Sequence, residues 1–93
     1  MNEIEERFKK FGELRSGLLL LRPADAIRMV RECRDANLSI LGIDGFQLEN
    51  QFTQPLMEHS VDLGKNPDDC WEIAESFITE RMSTNLFFEV VTD

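Results

Sequence analysis

Leu38-Ser39-Ile40-Leu41-Gly42-Ile43-Asp44-Gly45 is the stretch on which the fold turns. Ser39–Ile43 is rich in β-formers and closes on Gly42 and Asp44-Gly45, a pair that tolerates positive φ, so it reads as a strand ending in a turn. Before it, Ala26, Ile27, Val30, Cys33 and Ala36 recur at helical spacing, with Arg28, Arg31, Arg34 and Asp35 largely off that stripe. Pro23 suits the first turn of this helix, where its missing amide proton is no loss. Leu18–Leu21, stopped by Arg22-Pro23, fits a short buried strand, although periodicity alone does not separate such a run from a helix end. Ile4, Phe8, Phe11 and Leu14 predict an amphipathic helix over residues 2–15, broken by Gly17.

Downstream, the pattern loosens from Phe46 to Gln54 and Pro55 punctuates it. Met57, Val61 and Leu63 then alternate with Glu58, Ser60 and Asp62, as on a half-buried strand. Gly64-Lys65-Asn66-Pro67 reads as a turn. Asn66 is placed to cap a helix, with Pro67 at its first position and Asp68 and Asp69 facing the positive helix end. Cys70, Ala74, Phe77, Ile78 and Met82 form its apolar stripe, and Leu86–Val91 alternates as a closing strand. The order strand–helix–strand–strand–helix–strand predicts an α+β fold, a two-layer ferredoxin-like sandwich with both helices on one face of an antiparallel sheet. Residues 1–16 would append an N-terminal helix to this core. Without the short first strand, a three-stranded sandwich remains. At 93 residues the chain is expected to form a single domain.

Charge is divided between the two halves. Residues 1–34 carry eight basic side chains against six acids, a net of +2, whereas residues 35–93 carry twelve acids against Lys65 and Arg81, a net of −10. A surface this acidic repels nucleic acid and anionic membrane and steers association with basic proteins. The longest apolar run is four residues, Leu18–Leu21, where a membrane span needs about 20. The charged N-terminus shows no secretory signal, so a cytoplasmic chain is expected. Cys33 and Cys70 both fall on apolar helix faces and are expected to be reduced and buried.

Pro23-Ala24-Asp25-Ala26-Ile27, a helix containing Cys33, and Leu38–Gly45 together resemble the opening of a colicin-type immunity protein. The similarity is to the group that protects bacteria against colicins that cleave tRNA in the anticodon loop. That group has a Ser-Pro helix start, an Ala-Ile pair, a Cys-containing helix and a strand ending Ile-Leu-Gly-Ile-Asp-Gly. The match spans residues 21–45; Arg22 replaces the serine, and residues 1–17 add an extra helix. The resemblance implies a bacterial bacteriocin-immunity function, in which carboxylates mimic RNA phosphates and plug the basic cleft of a nuclease toxin domain.

The candidate partner-binding residues are then Asp44, Gly45, Phe46, Glu49, Glu58, Asp62, Asp68, Asp69 and Glu89, with Glu58, Asp62 and Glu89 on polar strand faces. Most also have a plainer reading. Asp44-Gly45 can be only a turn, Asp68 and Asp69 only helix-end stabilisers, and Phe46 a residue folded back over the core. His59, on the side of Met57, Val61 and Leu63, reads as a hydrogen-bonded core or edge residue, and Trp71 as partly buried at a helix edge.

Catalysis has no visible parts: one histidine, no nucleophile elbow, no phosphate loop and no zinc spacing. No enzyme, metal or cofactor is expected, and nucleic acid is disfavoured as a partner. The alternative is a ligand-binding or regulatory ferredoxin-like module, non-enzymatic and free to form a homodimer through its sheet.

Overall fold

A computed structural model describes residues 2–49 and 52–93. Its elements are α1 (Glu3–Phe8), a 3-10 turn (Lys9–Phe11), β1 (Glu13–Arg15), β2 (Leu18–Leu20), α2 (Pro23–Asp35), β3 (Ile40–Glu49), β4 (Phe52–Asp62), α3 (Cys70–Thr79) and β5 (Phe87–Thr92). The fold is α+β, with two antiparallel sheets: a β1–β2 hairpin and a three-stranded sheet in the order β4-β3-β5. The short first strand of the core stands beside β5 and touches it at one bridge, Leu21 with Phe88. There the two backbones exchange hydrogen bonds of 2.9 and 2.7 Å. The four strands expected to share one sheet are therefore divided.

The N-terminal helix is much shorter than residues 1–16. Asn2 caps α1 by accepting from the Glu5 amide, and the Glu5 carboxylate accepts from the Asn2 amide, a reciprocal capping box. The helix then tightens through Lys9–Phe11 and stops. Glu13–Arg15 turns back as a strand because Ser16 and Gly17 both take positive φ, 53° and 82°, forming the two-residue turn that joins tightly paired strands. Leu14, which fitted the helical stripe, is half exposed on β1. A local turn has overridden the spacing of three and four.

The buried apolar side chains of α1, β2, α2, β3, α3 and β5 form one cluster, with Phe8, Leu21, Met29, Val30, Cys33, Ile40, Ile43, Ile78 and Phe88 near its centre. In α2 the expected stripe is buried through Cys33, and Met29 joins it; Ala36 lies past the helix and is exposed. Asn37, at φ 55°, ends the turn that follows. Both cysteines are free and buried. Burial, with smaller effects from Glu5 and Glu32, pushes the Cys33 thiol up to about 11, so it stays protonated and behaves as a small hydrophobe. The Cys70 sulfur accepts from the Ile40 amide at 3.3 Å, tying the start of α3 to β3.

Around α3 the expected cap is displaced. Asn66 does not begin the helix; residues 67–69 form a turn and Asp69 takes the N-cap position with no side-chain cap bond. The Asp69 amide donates to Asn66 O at 3.3 Å, which keeps this segment in a turn until Cys70. Met82 falls beyond the helix and is largely exposed. Trp71 is partly buried against the cluster, and its indole N–H donates to Leu38 O at 2.9 Å.

Candidate functional site

In β5, Phe88 and Val90 enter the core, so Phe87, Glu89 and Val91 project from the other face of the sheet. In β3, Ile43 enters the core and Asp44 opposes Glu89 in register. Asp44 also opposes Ser60, and Gly42 opposes Asp62. A shallow cavity of about 470 Å³, lined by no helical residue, opens beside the Asp44–Glu89 pair. Asp44, Asp62 and Ser60 line it together with Leu41, Met57 and Val91.

Asp44-Gly45 is accordingly not a turn. β3 runs straight through it to Glu49, and the irregularity that the two residues mark is a bulge in the neighbouring strand. Asp44 pairs with Ser60, yet Gly45 pairs with Leu56, leaving Met57, Glu58 and His59 without partners on β3. The glycine is required here. A Cβ at position 45 would lie 2.6 Å from the His59 carbonyl oxygen and 2.7 Å from its Cβ. Ser60 Oγ closes the root of the bulge by donating to Leu56 O at 2.9 Å and accepting from the Gly45 amide at 3.4 Å. The expected alternation from Met57 to Leu63 therefore fails in its first half. Met57 is 85% exposed rather than in the core, while Leu63 is buried as expected.

The cation nearest in register on this face, Arg22, stacks 5.1 Å from the centre of the Phe87 ring and makes no ion pair with the carboxylates there. Among the described residues no ion pair reaches Asp44, Asp62 or Glu89. Burial, then repulsion from Asp44 and from Glu5, raises the Glu89 carboxyl above the usual carboxylate range. Like charges directly opposite on adjacent strands destabilise a sheet. The sign follows from linkage: the folded state holds the Glu89 proton more tightly than the unfolded chain, so ionisation costs stability as pH rises through the folded value. We therefore expect Glu89→Gln to raise the thermal midpoint at neutral pH. The gain should shrink to nothing below about pH 4, where the unfolded carboxyl is itself protonated. Thermal unfolding at the two pH values checks this.

Not all the candidate residues join the site. Gly45 is buried, and Phe46 is only 6% exposed, so both support the sheet and neither offers a contact. Phe46 lies on the non-core face opposite Pro55 and Phe87, which explains how it can be covered without joining the main cluster. Glu49 stands at the far end of β3 and accepts from Gln47 at 2.9 Å. Glu58 is exposed on the bulge, beside Met57. Asp62 lines the cavity while its Oδ1 accepts from the Gly64 amide at 2.9 Å. Asp68 and Asp69 are exposed in the turn before α3 and do not line the cavity.

A second hollow, about 580 Å³, lies over α3 and the end of α2, lined by Arg34, Glu72, Glu75, Ser76, Thr79 and Glu80. It is larger, and of its charged lining Arg34, Glu75 and Glu80 are engaged in ion pairs, whereas among the described residues no ion pair reaches Glu72. Arg31 grips Glu75 through two hydrogen bonds of 3.0 Å, and this contact holds the Glu75 carboxyl below the usual range. The other α2 arginines are similarly occupied within the chain: Arg28 pairs with Asp25, and Arg34 lies 4.0 Å from Asp35. Arg7 of α1 binds Glu32. Six of the eight basic side chains of residues 1–34 thus pair with acids of the chain, while Lys10 stacks over Phe11 and Arg22 over Phe87.

Sequence reasoning missed Leu41 and Met57 as exposed members of the site. Their apolar character pointed inward, and only the bulge turns Met57 out. Among the described residues, no group of His, Cys, Asp and Glu is arranged to hold a metal ion, and no helix is long and apolar enough to cross a membrane. No protein-family model matches the chain, and no curated protein is significantly similar to it.

Proposed function

We propose that this chain is a non-enzymatic, immunity-protein-like inhibitor that binds a basic nuclease toxin domain through the acidic sheet face. The observation that carries the reading is the opposed pair Asp44 and Glu89, without an ion pair among the described residues and costly to the fold. Groups that destabilise a protein while gaining nothing internally are often kept for binding. A cation from a partner would relieve the Asp44–Glu89 repulsion on docking. Asp62 and Glu58 extend the same negative field, and Met57, Leu41 and Val91 add apolar contact area around the cavity.

On this reading the carboxylates stand where RNA phosphates would lie in the toxin's cleft, and long-range attraction accelerates encounter at low salt. The resemblance of residues 21–45 to the immunity group supports the same partner class, and a bacterial cytoplasm is the compartment in which such an inhibitor would act. The element order from β2 to β5 supports a ferredoxin-like ancestry for the core. On that reading the pairing has rearranged, since β3 and not the first strand stands between β4 and β5. The test is a titration of the captured partner's ribonuclease activity with this chain. We expect inhibition to be complete at one equivalent and to weaken as salt is added. Full ribonuclease activity in the presence of excess chain would refute the proposal.

A further inference from the structure

The bulge that carries Met57 is held from outside the sheet. His59 Nδ1 accepts a 3.0 Å hydrogen bond from Arg81 Nε, just beyond the end of α3. Arg81 is itself fixed: Nη1 donates to Phe77 O at 3.0 Å, the guanidinium stacks 3.7 Å from the centre of the Phe77 ring, and Glu80 lies 3.6 Å away. On the inner side, His59 rests against Gly45 with no space for a Cβ. A histidine nitrogen accepts a hydrogen bond only when it carries no proton. Guanidinium remains a donor throughout, so this contact exists only with neutral imidazole.

We propose that the His59–Arg81 hydrogen bond is a pH-sensitive latch that holds the Met57–His59 bulge in its binding position and releases it on acidification. This rests on the reading of the acidic face as the partner site, because Met57 lines the cavity there. Protonated Nδ1 would point an N–H at a cation, and the bond would be replaced by repulsion. The charged groups around His59 are Glu58 beside it on β4, Asp44 across on β3, and Glu80 and Arg81 at the end of α3. The carboxylates soften that repulsion, but Arg81 is the group in contact with the ring. Release would let the bulge swing away from Gly45 and remove Met57 from the wall of the cavity.

Amide hydrogen exchange over residues 56–60 tests the latch on the free chain, at about pH 8 and about pH 5, on either side of the ordinary imidazole range. Wild type is compared with His59→Asn at each pH, which cancels the intrinsic pH dependence of exchange. Asn Oδ1 takes the place of Nδ1 as an acceptor that does not titrate. We expect equal protection at pH 8 and, at pH 5, roughly tenfold faster exchange in wild type than in His59→Asn, the scale of one lost charged hydrogen bond. Equal exchange in the two chains at both pH values would overturn the proposal. A decalysine peptide separates the latch from the partner reading. A pH response in exchange with no decalysine binding counts against the acidic interface, whereas decalysine affinity that is identical at both pH values counts against the latch.

Discussion

Phe88→Ala is expected to cost about 3–5 kcal/mol, the range for removing a fully buried aromatic ring, against a total stability of about 5–15 kcal/mol for a domain. The ring is 0% exposed at the centre of the cluster, and its backbone carries the bridge to Leu21 that joins the end of the β1–β2 hairpin to the main sheet. The cavity left behind would open among β3, α2 and β2, the elements packed on β5, which are fixed in the same cluster and have little freedom to close it. Equilibrium denaturation gives the value. A loss below about 1 kcal/mol would show that the site collapses and that the hairpin does not depend on it. Hairpin amides should lose protection along with the core.

The double reversal Asp44→Lys with Glu89→Lys is expected to separate binding from stability. It replaces the repelling carboxylates with two cations at the same register position, beside Asp62 and within the field of Glu5. The fold should be little affected, since one like-charge pair replaces another and the new cations have acidic neighbours. Association with a basic partner should slow by roughly 10- to 1,000-fold at low salt, because the steering field is weakened and its centre inverted. Rapid-mixing kinetics measures the rate, and circular dichroism verifies the fold. An unchanged association rate in a folded variant would place the interface elsewhere on the molecule. The hollow over α3, with its exposed Glu72 and Glu80, would then be the next surface to reverse.

How much of this was legible in the sequence depended on whether local spacing or pairing decided each segment. α2 and α3 were readable because their apolar stripes repeat over several turns and coincide with the buried faces. β5 was readable from strict alternation, with Phe88 and Val90 inward and Glu89 outward. The N-terminal segment was not. Ile4 and Phe8 are buried in a real helix, but Phe11 and Leu14 keep its spacing only by coincidence, and the turn at Ser16-Gly17 takes the chain back as a strand. Asp44-Gly45 misled in a different way. The glycine meets a demand made by His59, fourteen residues on, and a turn signal cannot be told from a close approach until the partner strand is in place.

The site followed the same pattern. Asp62 and Glu89 were named from charge and alternation, Asp44 from its charge at a supposed turn, and the fold brings the three to one face. Phe46 and Gly45 were named from proximity to a supposed turn, and continuous pairing buries them. The Arg81–His59 contact left no local trace, since it joins the end of a helix to a bulge 22 positions away. Charge division in the sequence was a sound guide to where unpaired acid would collect, because the arginines of α1 and α2 find partners near at hand.

Affinity capture at low ionic strength, with wild type and Asp44→Lys/Glu89→Lys side by side and a ribonuclease assay of each bound fraction, decides whether the acidic face holds a basic toxin domain. We expect a basic protein on the wild-type chain alone, with ribonuclease activity that appears only once high salt dissociates the complex. Equal recovery on both chains, or a wild-type chain that retains no basic protein, would contradict the acidic interface.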